Sequence, residues 1–165
     1  MTPALTFEEL FRWNDEASQW WKAHLDANPT LLELPCGIGG AANVQALVRH
    51  IWGAELRWAH RLAQLPEVVP EDMPVGPLDT LYAMHSQARE ILEKLLADPT
   101  QDWDAMYTLT ANWLPPEKRN HTRRKIMGHA LLHAQRHWAQ LATLVRAAGF
   151  PSGFGGDLLF SIALR

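Results

Sequence analysis

Three histidines recur at a spacing of four in the segment His129-Ala-Leu-Leu-His133-Ala-Gln-Arg-His137. A helix turns about 100° per residue, so a step of four carries a side chain round by only about 40°. All three imidazoles therefore fall on one flank. Neighbours four apart have Cβ atoms roughly 5–6 Å from each other. Two neutral imidazoles at that spacing can share one metal ion.

Facing decides which two. With His129 at zero on a wheel of about 100° per residue, His133 lies near 40° and His137 near 80°. Ile126, Ala130, Leu141, Leu144 and Val145 spread over an apolar stripe centred near 100°. His137 points into that stripe, His133 lies at its shoulder and His129 is furthest round toward solvent. A metal held between packed helices would use His133 and His137, with His129 outside the ligand set. A catalytic zinc has three protein ligands and an open position, so a third ligand must come from elsewhere.

His50 is the candidate. It lies within the apolar stripe of Val44, Leu47, Val48, Ile51, Ala54, Trp58 and Leu62. An inward histidine on such a stripe is also a common core residue. The pair on a separate helix is what makes it a ligand candidate. His60 lies ten residues on, about 15 Å along the axis, too far to share a site with His50. Glu55, the nearest carboxylate in sequence, is about 140° round the helix from His50 and is not assigned as a base. Gln140, near 20° on the histidine wheel, could touch a substrate or order a ligand. His85 reads as a surface or flanking residue.

Four helices must position these groups. Thr6 opens the first, with Glu9 three residues on as in a capping box, and Asn28-Pro29 ends it. Asn43 to Leu65 forms the second, stopped by Pro66. A proline-rich connector, Pro66 to Pro77, leads to the third, Leu78 to Leu96. Trp103 to Leu114 alternates weakly and reads as extended or irregular. Thr122 caps the fourth, which runs to about Ala148, with Gly149 as a stop. The tail, residues 150–165, is apolar at Phe154, Leu158, Leu159, Phe160 and Ile162 and packs on the bundle or on a partner chain. The expected fold is all-α, a four-helix bundle in one domain over residues 1–165, with the metal site between the second and fourth helices.

Composition narrows the function. The net charge of −3 and the absence of a long Lys/Arg run argue against nucleic-acid binding. Arg123, Arg124 and Lys125 form the one tight basic cluster and read as a solvated face. Apolar residues at 47% and charged residues at 20% suit a globular chain with a real core. A single cysteine, Cys36, excludes an internal disulfide. No apolar run approaches the roughly 20 residues of a membrane span, and the expected location is cytoplasmic. Cys36-Gly-Ile-Gly-Gly lacks the Gly-Lys-Ser/Thr ending and the preceding strand of a phosphate loop. Eight tryptophans and an apolar tail exceed the obvious needs of a small core and suggest a homodimer.

Trp13-Asn14, then Leu47-Val-Arg-His50-Ile-Trp-Gly-Ala-Glu55-Leu-Arg-Trp58, then His129-Ala-Leu-Leu-His133-Ala-Gln-Arg-His137-Trp-Ala-Gln140, and finally Gly149-Phe-Pro with Asp157 resemble the DinB/YfiT family of metal-dependent bundle proteins. The resemblance covers nearly the whole chain. It implies a metal triad of His50, His133 and His137 binding zinc, nickel or iron. It further implies thiol-dependent transfer, or a related hydrolysis, on small electrophilic substrates, with a low-molecular-weight thiol such as bacillithiol, mycothiol or glutathione as co-substrate. The alternative it leaves open is a non-catalytic metal-binding stress-response protein. Trp138-Ala139 departs from the Arg-Gly common there in the family, which leaves the ligands untouched and bears on the groups around them or on helix packing.

Overall fold

The computed structural model describes residues 5–110, 114–150 and 156–163. Local chemistry starts the helices where the sequence places them. Thr6 accepts a hydrogen bond from the Glu9 amide at 3.1 Å, and Glu9 accepts one from the Thr6 amide at 2.7 Å. This reciprocal box opens α1 (Phe7–Ala27). Asn43 accepts from the Ala46 amide at 2.9 Å and opens α2 (Val44–Leu62). Helix α3 (Leu78–Ala97) follows Pro77 without a side-chain cap. Thr122 accepts from the Lys125 amide at 3.2 Å and opens α4 (Arg123–Ala147). Gly149, at φ 86°, lets the Gly149 and Phe150 amides return to the Arg146 and Val145 carbonyls.

The four helices bury one continuous apolar core, and α2 packs against both α3 and α4. Trp21, Trp52 and Trp138 are fully buried at its centre, and their rings touch at 5.7 Å (Trp21–Trp138) and 5.9 Å (Trp52–Trp138). Much of the aromatic surplus is thus consumed inside the chain. The Trp138 ring lies at the centre of this core. The proline connector is held to α2 by Arg49, which donates to the Pro74, Pro70 and Met73 carbonyls, and by Gln45, which donates to that of Gly76. Met73 packs closely over Gly53, where a Cβ would stand 2.4 Å from its sulfur, so a side chain there would require the Met73 side chain to shift.

One expectation becomes specific and two change. The Trp103–Leu114 stretch contains a short strand, β1 (Met106–Thr108), paired antiparallel with β2 (Asn120–Thr122), with Tyr107 opposite His121. The all-α architecture therefore carries a small ribbon at the start of α4. Arg123 is not on a solvated face: it is half-buried and donates to the Leu62 carbonyl at the end of α2 and to Gln101. A cation at a helix C-terminus also suits the helix dipole.

His85 is buried, not superficial, at 3% exposure. Its Nδ1 lies 2.8 Å from Glu55 Oε2 and its Nε2 3.1 Å from Asp15 Oδ1. Asn14 donates to Glu55, and Arg89 pairs with Asp15. Two carboxylates drawn from α1 and α2 are thereby compensated by side chains of α1 and α3, as buried charges require.

The described tail touches α1 through Ser161, which donates to Glu16 at 2.6 Å, and buries Ala163. Leu159, Phe160 and Ile162 remain exposed, and Phe154 lies outside the described residues. No helix among the described residues is long and apolar enough to cross a membrane.

Candidate metal centre

Packing of α2 against α4 brings His50 to His133 and His137. The ring centroids lie 5.2 Å apart for His50–His133, 5.1 Å for His50–His137 and 4.6 Å for His133–His137. One nitrogen from each ring lies within 4.8 Å of the others. Imidazole nitrogens about 2.0–2.1 Å from a tetrahedral zinc stand roughly 3.3 Å apart. Small side-chain rotations therefore convert this cluster into a three-nitrogen ligand set. His137 is buried and His133 half-buried, as their wheel positions predict, whereas His50, expected to face inward on its stripe, is the most open of the three.

Second contacts orient the rings. Gln140 Oε1 lies 2.8 Å from His137 Nδ1. An amide oxygen only accepts, so Nδ1 carries the proton and donates, and the lone pair of the neutral ring lies on Nε2. Arg136 faces that Nε2 at 3.2 Å, as a donor to it. The glycine loop read as a failed phosphate motif has a different role. Gly39, at φ 58°, brings backbone beside His137, and a Cβ there would lie 3.8 Å from the ring's Cε1. The loop therefore passes beside the His137 ring at Gly39.

His129 does not join the set. It is exposed, and its ring packs edge-on against Trp58 at 5.0 Å and lies 5.6 Å from His133. Glu55 is likewise excluded, since its carboxylate is engaged by Asn14 and His85.

Electrostatics keep the three imidazoles neutral. Burial lowers the affinity of His50, His133 and His137 for a proton, and the neighbouring histidines and Arg136 add to this for His133, which is pushed down to about 3. For His137 the Gln140 hydrogen bond opposes the burial effect. Neutral rings with free lone pairs are the form that ligates a metal. The same shifts set the pH response of the metal-free protein. Below the ordinary histidine value of 6.5 the unfolded chain takes up protons that the folded site refuses, so stability falls with pH and keeps falling toward about 3. Thermal unfolding in chelator between about pH 7 and about pH 5 checks this, and a His133→Asn variant is expected to show a shallower slope. Equal slopes in the two proteins would contradict it.

Two features of the site were not legible in the sequence. The glycine loop carries no signal that it passes beside His137, and Arg136 reads only as a charge between two histidines. Comparison with family models finds none that matches the chain, and comparison with curated proteins finds no match either.

Proposed function

We propose that the chain is a divalent-metal-dependent enzyme of the DinB/YfiT type, joining a low-molecular-weight thiol to a small electrophile. The observation that supports this most is the convergence of three neutral imidazoles from α2 and α4. Zinc, nickel and iron(II) all suit imidazole donors, so the donor set admits each of them. A divalent ion held by three such neutral ligands supplies Lewis acidity toward a thiol or water.

The chain's own residues do the rest. Gln140 fixes the tautomer and direction of His137, and the Gly39 loop passes beside its ring. Arg136 places a guanidinium where an anionic reactant group would meet the site. In the overall substitution the thiol loses its S–H proton and a sulfur–carbon bond forms at an electrophilic carbon; the carbon–halogen bond breaks to release halide and the proton, or an epoxide carbon–oxygen bond breaks and its oxygen takes the proton. Hydrolysis is the related reaction with water in place of the thiol. The exposed Leu159, Phe160 and Ile162 favour a homodimer through the tail.

The second reading is a non-catalytic metal-binding protein of a stress response, favoured by Arg136 standing over His137 Nε2 and narrowing access. Turnover decides between them. Protein stripped of metal and reloaded with zinc, nickel or iron(II) is incubated with bacillithiol or glutathione and an activated alkyl halide or epoxide. The enzyme reading expects conjugate formed only by the reloaded protein. Metal uptake without any conjugate or hydrolysis product would favour the second reading.

A further inference from the structure

A cavity opens at His129, one helical turn from His133. It measures about 180 Å³ and is walled by Trp58, Leu109, Leu114 and Ile126. An apolar cavity of roughly 150 Å³ takes up benzene, so this one fits a group the size of a single ring. Its walls are held firmly. Trp58 is 7% exposed, and the Arg61 guanidinium lies 4.8 Å from its ring while pairing with Glu67. Leu109 is anchored by the ribbon, its amide donating to the Arg119 carbonyl at 2.9 Å.

The polar lining is one-sided. Lys125, His121 and His129 line the cavity, and no carboxylate is among its lining residues that the structure describes. Lys125 is exposed, so its ammonium can meet an anion at the mouth while its stem lies along the apolar wall. His129 is shared between the two places: it lines this cavity, and its ring lies 5.6 Å from that of His133. A cavity with a few convergent polar groups beside a cluster of perturbed histidines has the form of a substrate site.

We infer that this cavity binds a small organic acid, its apolar ring-sized part against Trp58 and its acidic group toward Lys125. We also infer that it is the electrophile subsite of the histidine centre, and that second part rests on the function proposed above.

Phenylacetate is the probe, with phenylacetamide as its uncharged counterpart. Both are titrated into isotope-labelled full-length chain, metal-stripped and zinc-loaded, while the Trp58 indole and the Leu109 and Ile126 methyl resonances are followed. The expected result is saturable shifts of these groups by phenylacetate in both forms of the protein. Phenylacetamide is expected to bind about three-fold more weakly, the size of one exposed charge contact. Lys125→Ala, a surface change, erases the difference between the two probes and keeps the Trp58 shifts. Leu114→Trp, which fills the cavity from its rim, removes the shifts. Zinc loading adds a response of the His129 and His133 rings to phenylacetate.

Absence of saturable shifts at these residues, or equal binding of acid and amide by the unaltered chain, overturns the inference. If the chain takes up no metal but the cavity responds, the metal reading fails alone. If zinc loads and the cavity stays silent, this inference fails alone.

Discussion

Replacing His133 with alanine is expected to lower the affinity of the chain for zinc by more than about a hundred-fold. Loss of a mere outer partner of a ligating histidine costs roughly 10–100-fold, and His133 stands in the ligand set itself. Two histidines would remain, below the three protein ligands of a catalytic zinc. Gln140→Leu provides the graded comparison. It removes the acceptor that orients His137 but leaves all three rings in place, so its loss is expected near the lower end of that range, about ten-fold. The readout is competition with a chromophoric chelator, with thermal unfolding as a second measure. Zinc at a hundred times its dissociation constant stabilises a folded protein by about 2.7 kcal/mol. In a chain of this size that raises the midpoint by roughly 5–10 °C, and the rise should vanish in His133→Ala. Unchanged zinc affinity in His133→Ala would remove the metal centre.

The second large effect is one of stability. His85→Ala leaves Glu55 and Asp15 facing a buried space without their shared partner. Asp15 keeps Arg89 and Glu55 keeps Asn14, so the loss is that of one buried hydrogen-bonding partner, about 1–3 kcal/mol. In a chain of this size that is a fall of roughly 2–12 °C in the unfolding midpoint. Replacing the buried set with well-packed apolar residues is a different perturbation, since it removes the buried charges along with the partner, and should recover much of the loss. Zinc affinity of His85→Ala should stay within a few-fold, since Glu55 and His50 point to different sides of α2. A fall in stability below about 1 kcal/mol would show that the network is solvated rather than buried. A parallel loss of metal affinity would show that the network and the histidine cluster are one device.

Both predictions use residues that the sequence exposed to different degrees, and the reason is the range of the forces involved. The helices were legible because their causes are local. Thr6 with Glu9, Asn43 and Thr122 act on amides three residues away, and these caps stand where their spacing places them. The relative facing of His129, His133 and His137 was legible too. It follows from helical geometry alone, and the exposure of the three runs in the expected order.

The third histidine belongs to an intermediate case. Its place on the apolar stripe of α2 could be read, but its exposure, the greatest of the three, and its meeting with His133 depend on how α2 packs against α4. Inward facing alone also fits a core histidine. His85 shows where local reading stops. It sits four residues after Leu81 and three before Ala88, on the buried side, yet a histidine there needs partners before it can be buried. Those partners lie 30 and 70 residues away, and nothing near His85 announces them. The same holds for Arg123, whose acceptor at Leu62 is 61 residues away, and for β1, whose short strand exists only by pairing with β2. Helical period, caps and the spacing of the histidines were determined by the sequence itself, because each is set within one or two turns. The passage of the Gly39 loop beside His137, the buried network and the cavity at Trp58 were decided only by tertiary structure, because desolvation and pairing act between segments that the chain order keeps apart.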